Sequence, residues 1–373
     1  MVRSPRALAL AAGLLALALV PAAAAALNQP FYVDLFRRIM IFAIAALSLD
    51  LILGYGGMVS FGHAAYLGVG AYAVGILAHH GVHDGFVQWA LAIAASALVA
   101  LGIGAISIRT SGVYFIMITL AFTQMLYYLG ISIEEYGGDD GMRLLARSQF
   151  RGLVDLRDGV TFYYVVFAIL VLCLVLGHRL VNARFGMVVQ AAKSNEARAR
   201  AIGFSPYRHK LVAFVIAGAM GGVAGALLVN HTEYLTPEFM HWTRSGEIMF
   251  MVILGGMGTL VGPVLGAVVL LLLENLLSSW TVHWQIILGP FLVLVVLFAK
   301  RGLFGLLPHG GPDLPHGGPS HGPPSPPDAR RAPAEPWRAS KCPDMGNLAT
   351  GLPARPGRSS RPGEAVALLG MVR

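Results

Sequence analysis

Charge is scarce in this chain. Lys, Arg, Asp and Glu make up 12% of its 373 residues, about half the ~25% of a soluble domain, while hydrophobic residues make up 56%. That balance excludes an ordinary water-soluble domain and points to a polytopic membrane protein. Cysteine is scarce too: Cys173 in an apolar run and Cys342 near the C-terminus cannot form a disulfide framework. No GxxxxGK[ST] occurs, so the chain does not hydrolyse a nucleotide by the P-loop route. HExxH and GxSxG are missing as well. A basic surface interleaved with aromatics is also lacking, so the net charge of +8 suits an anionic membrane leaflet better than nucleic acid.

What is present is a series of about ten apolar segments. They are Ala7–Leu27, Ile39–Leu53, Gly54–Leu77, Gln88–Ile108, Val113–Ile131, Thr161–Gly177, Leu211–Val229, Glu247–Leu260, Val264–Leu277 and Trp284–Ala299. The last three are near or below the ~20 residues of a usual span, and Gly255, Gly256, Gly258, Gly262, Pro263, Gly289 and Pro290 punctuate them. The first follows Arg3 and Arg6 and reads either as a first span or as a signal peptide with small residues at Ala22–Ala26 for cleavage. The fold class is all-α, a transmembrane helical bundle with some broken segments.

The loops carry a charge asymmetry. Between Ser132 and Gly159 six acids face four arginines, whereas His178–Leu211 holds seven cations and one acid, Glu196. Lys and Arg resist translocation, so the basic loop belongs in the cytoplasm. Ten crossings with Lys300 and Arg301 at the end place both termini there. Arg37 and Arg38 run against this scheme, falling on the outer side. The basic loop is no slack linker. Arg184 to Ile202 is Ala-rich, contains no proline and predicts one helix, stopped by Gly203 as a left-handed C-terminal residue and by Pro206 beyond it. A helix of this kind suits a grip by something cytoplasmic.

After Leu307 come 14 of the 21 prolines. Such composition cannot bury enough apolar surface to fold, which predicts a disordered tail over 305–373.

Ionisable residues inside apolar sequence are functional candidates. Asp50 and Glu274 qualify, each without a basic partner visible in neighbouring spans. Asp50 lies beside the break that Gly54 and Gly57 permit. His63 either touches substrate or is hydrogen-bonded between helices. Asp50, Gly54, Gly57, His63, Gly255 and Gly256 are the candidates for a translocation path. His79, His80, His83 and Asp84 crowd one loop, but polar residues are expected at a span end, so no metal site is assigned.

Five blocks, in order, resemble the LivM-type permeases of branched-chain amino-acid ABC importers. They are LDLILGYGGMVSFGHAAYLGVGAY from Leu49, SGVYFIMITLAFTQMLYYL from Ser111, GGDDGM from Gly137, the long block from Arg184 to Leu227, and MVILGGMGTLVGPVLGAVVL from Met251. The resemblance spans about Ile39 to Arg301. It implies that the loop 179–210 is the element docking into the ATPase subunit, with Arg184, Ala191, Ala192, Glu196, Arg200, Gly203, Ser205 and Pro206 at motif positions. It divides the chain into an N-terminal segment at 1–36, a permease domain at 37–304 and the tail. It further implies a second permease subunit, two cytoplasmic ATPases, a periplasmic binding protein, an inner-membrane location and no catalysis or cofactor of the chain's own, ATP being bound by the partners. The family usually has Asn where this chain has Asp50, and its tail is usually short. Urea or short-amide permeases of the same type share similar blocks. An ion-coupled carrier would need paired charges at mid-membrane, and a membrane enzyme would need a catalytic constellation.

Overall fold

The computed structural model describes residues 5–144, 146–150, 155–281, 283–298 and 303. The tail expected to be disordered, 305–373, lies outside them. Helix α1 (Pro5–Ala26) leads into α2 (Phe31–Asp50), in which every residue from Ile39 to Asp50 is buried. A helix apolar on all sides belongs in the middle of a bundle, and α2 packs against helices from both halves of the chain. It winds into a π-helical turn at Leu51–Tyr55, then loses helical form until α3 (His63–His79). Gly57 there takes φ +68°, a conformation that favours glycine. The glycine-rich entry is thus a break, as its composition permits.

Helices α4 (Gly85–Ser107) and α5 (Val113–Ser132) follow, then an irregular segment holding a 3-10 turn at Glu134–Tyr136 and strand β1 (Met142–Arg143). Helix α6 (Gly159–Asn182) starts under Asp158, whose carboxylate accepts from the amides of Val160 and Thr161. The basic loop forms α7 (Arg184–Ser194) and α8 (Glu196–Ala201). Next come α9 (Pro206–Thr232), β2 (Tyr234–Leu235), a 3-10 turn at Pro237–Met240, α10 (Trp242–Gly255), α11 (Gly262–Trp280) and α12 (Trp284–Phe298). The two strands pair antiparallel, Met142 opposite Leu235, and the other regular elements among the described residues are helical.

Each of the ten apolar stretches is helical in large part. Among the described residues five helices, α4, α5, α6, α9 and α11, are long and apolar enough to cross a membrane by length and composition. Ten crossings are not reproduced by that measure: α3 has 17 residues, α10 has 14, and α2 carries Asp34, Arg37, Arg38 and Asp50.

Two packing features shape the bundle. On α9, Gly218, Gly222 and Gly225 let the helix backbone close on α3 and α4. A Cβ at Gly222 would collide with the Ser96 side chain of α4, and one at Gly225 with the Leu67 carbonyl of α3. Small residues permit such approach in lipid. At the other end of α9, Arg37 of α2 donates to His231 Nδ1 at 3.0 Å, pairs with Asp34 and lies 4.8 Å over the Phe162 ring of α6. Arg38 sits 3.6 Å from Glu274 of α11. These contacts account for the two arginines that ran against the charge asymmetry: partners from four helices hold them. They also correct the expectation that Glu274 lacks a basic partner.

Candidate functional site

The loop between α6 and α9 is organised by local chemistry. Ala183 turns the chain out of α6 in extended conformation, and α7 begins at Arg184. The single helix expected from Arg184 to Ile202 is broken. Asn195 is extended (φ −159°, ψ 104°), and its side-chain oxygen accepts from the Arg198 amide at 2.9 Å, capping α8. Asn competes with helix interiors in this way, and an acid in the first turn, here Glu196, favours the new start. Helix α8 ends as its sequence predicts. Gly203 has φ +89°, its amide donates to the Arg200 carbonyl at 2.9 Å and the Phe204 amide reaches back to Ala199 at 3.2 Å. That pair of bonds is a Schellman motif. Ser205 is extended and Pro206 opens α9 at its first position, where the missing N–H costs nothing.

Charge and stacking fasten this turn. Glu196 accepts from Arg200 at 2.7 Å and from Lys210 at 3.3 Å, joining α8 to α9. The Arg200 hydrogen bond, ahead of the neighbouring charges, holds the Glu196 carboxyl below its ordinary range. His209 stacks on Phe185, ring centroids 5.7 Å apart. Tyr207 donates to the Ala105 carbonyl at 2.9 Å, tying the start of α9 to α4. Ala191 and Ala192, both at motif positions of the docking loop, separate: Ala192 is buried in its own chain at 4% exposure, whereas Ala191 is exposed. Arg184 and Arg200 are exposed, and so are the apolar side chains of Met187, Ile202 and Phe204.

The other candidates fall into two groups. Asp50 is wholly buried, and its Oδ1 accepts from the Gly258 amide at 2.8 Å. Gly54 and Gly57 lie on the same break, and Lys193 of α7 reaches them, its Nζ 2.5 Å from the Gly54 carbonyl oxygen. Gly255 and Gly256 belong to the adjoining α10–α11 turn, where Gly255 packs on the Gly262 carbonyl and Gly256 ends α10 at φ +115°. His63 stands apart. It is fully buried, its Nε2 is 2.5 Å from Ser48 Oγ and its ring meets Tyr66 edge-on, so it is bonded between α2 and α3. Lys193 and Ser48 were not singled out from sequence, and Gly258 was named only as one of the glycines that punctuate the last segments. A lysine in a basic loop carries no mark of its own, and partners this distant leave no local pattern.

Near the irregular segment, His80 lies 3.2 Å from the Tyr136 hydroxyl, and the Asp84 carboxylate accepts from the Phe86 amide. Among the described residues no group of three His, Cys, Asp or Glu side chains is arranged to hold a metal.

Apolar helices of crossing length and a folded cationic loop between two of them define a multi-pass membrane protein. The chain belongs to the family described as branched-chain amino acid transport system / permease component, whose profile matches residues 31–299. It is 30% identical over 297 residues to the high-affinity branched-chain amino acid transport system permease protein LivM of Escherichia coli K12, covering 73% of this chain and 69% of that protein. The Salmonella typhimurium LivM is 28% identical over 294 residues, with 73% and 69% covered. The E. coli LivH permease protein is 22% identical over 285 residues, with 71% and 91% covered. No solved structure matches the chain.

Proposed function

We propose that this chain is the permease subunit of an ATP-driven importer of branched-chain and other hydrophobic amino acids. It sits in the bacterial inner membrane with the loop 179–210 in the cytoplasm. The chain pairs with a second permease subunit, receives substrate from a periplasmic binding protein, and leaves nucleotide chemistry to two ATPase subunits; it has no cofactor of its own. The observation that carries the reading is the folded loop. Helices α7 and α8 end in a Schellman turn at Gly203 and leave Met187, Ile202 and Phe204 exposed beside Arg184 and Arg200. Exposed apolar side chains rimmed by charge mark a protein-binding surface. Arg184, Ala191, Arg200, Gly203 and Ser205 are exposed on that loop, while Ala192 and Pro206 are buried and Glu196 ties α8 to α9.

The test is co-expression with the ATPase and second permease genes, followed by co-purification and uptake in vesicles. Nucleotide-dependent leucine uptake with the ATPase retained is the expected result. Urea uptake without leucine uptake would reassign the substrate, and uptake driven by an ion gradient alone would overturn the class. A cysteine in place of exposed Asp139 should react with an impermeant thiol reagent from outside, and one in place of Arg198 should not. The reverse pattern would invert the orientation.

A further inference from the structure

Lys193 is exposed as a residue, like most cations of the basic loop, but its ammonium reaches back to the break after α2. Its stem crosses Gly57 so closely that a Cβ there would stand 2.8 Å from Lys193 Cγ. Its ammonium donates to the Gly54 carbonyl at 2.5 Å. In the same turn the Leu53 carbonyl is taken by the Gly57 amide and the Ile52 carbonyl by the Met58 amide, so the lysine supplies the donor that the broken helix does not. Gly54 in turn lies against the α10–α11 turn, where a Cβ would strike the Gly258 amide and the Asp50 carboxylate. Gly258 N–H closes the series on Asp50 Oδ1 at 2.8 Å. Three of the five members are glycines, two of them with positive φ, so beyond the lysine stem, which packs on Gly57, the series has few rotamers that could absorb a displacement. Asp50 Oδ2 is buried without a hydrogen-bond partner among the described atoms, which leaves the carboxylate oriented by that one amide.

We infer that Lys193 is a positioning residue for energy coupling. It links movement of α7 to the break in α2, and through Gly54 and Gly258 to the α10–α11 turn. This rests on the importer reading above. A shift of α7 drags the Gly54 carbonyl, and Gly54 has no room to move without displacing the Gly258 amide from Asp50.

The experiment uses the full complex with its ATPases and measures substrate moved per ATP hydrolysed. Lys193→Met keeps the stem and removes the donor. Substrate per ATP should fall about tenfold, the scale of one charge-assisted hydrogen bond, with the ATPase still co-purifying. Lys193→Arg, which keeps a donor, should recover most of the ratio. A wild-type ratio in Lys193→Met, or an equal loss in Lys193→Arg, overturns the inference. A second measurement needs no transport. In the purified permease, Lys193→Met should speed amide hydrogen exchange at both 54–58 and 256–260, and unchanged exchange at 256–260 would equally overturn it. If the wild-type complex shows no ATP-driven uptake, the importer reading falls instead, and the exchange result still decides whether the two segments are linked.

Discussion

The Asp50 carboxylate and the Gly258 amide are 208 positions apart in the chain and 2.8 Å apart in space. This contact joins the end of α2 to the turn between α10 and α11, at a point where neither segment is helical enough to satisfy its own backbone. An Asn at position 50 offers the same acceptor. Asp50→Asn should therefore leave uptake within about twofold of wild type, whereas Asp50→Leu strands a buried N–H at a cost of ~1–3 kcal/mol and should lower the melting temperature in detergent. Loss of uptake in Asp50→Asn at unchanged protein level would show that the charge itself is used.

Gly203 gives a clean separation of strain from packing. A Cβ there meets nothing within 4 Å, yet φ is +89°. Gly203→Val should cost about 1–2 kcal/mol of local strain or more and leave the melting of the bundle unchanged. Co-purification of the ATPase should drop several-fold, and Gly203→Asn should retain most of it. Undiminished co-purification in the valine variant would mean the turn is irrelevant to docking.

The neighbouring alanines should behave differently from one another. Ala192 is buried within its own chain and Ala191 is not. Ala192→Glu puts an unpaired charge into packed surroundings and should reduce the yield and melting temperature of the isolated permease. Ala191→Glu should leave both intact and weaken only ATPase retention. Equal melting of the two variants would contradict this division.

Acid should loosen the α8–α9 connection through Glu196. Its folded value lies below its ordinary one, chiefly because of the Arg200 hydrogen bond. The contribution is therefore complete above the ordinary carboxylate range of about 4.3 and is lost as pH falls through the lowered value. The group is partly exposed, which limits the effect to a few tenths of a kcal/mol. Hydrogen-exchange protection in α8, taken relative to the intrinsic amide rate at each pH, should fall in acid for the wild type but not for Glu196→Gln, and parallel profiles would remove the ion pair from the account.

Local signals were legible and distant ones were not. Gly203 and Pro206 sit at the spacing a helix stop needs, and the structure places the stop there. Asn195 followed by Glu196 carried a cap signal too, but the alanines on either side read as one helix and masked it. Asp50 looked isolated because its partner is a backbone amide in another segment, which no composition reveals. Glu274 looked isolated because Arg38 appeared only as a topological anomaly. Lys193 was hidden by a sufficient explanation: a lysine in a cytoplasmic loop already satisfies the charge rule, so nothing in the sequence demanded a second role.

The glycines of α9 have a mechanical consequence. Where Gly225 faces the Leu67 carbonyl and Gly70 faces the Gly222 carbonyl, α3 and α9 touch through backbone, while Gly222 closes on the Ser96 side chain of α4. These three helices form a closely packed block. A rearrangement that admits a solute would then be borne outside that block, for instance at the α10–α11 turn, which meets the chain through Gly54 and Asp50.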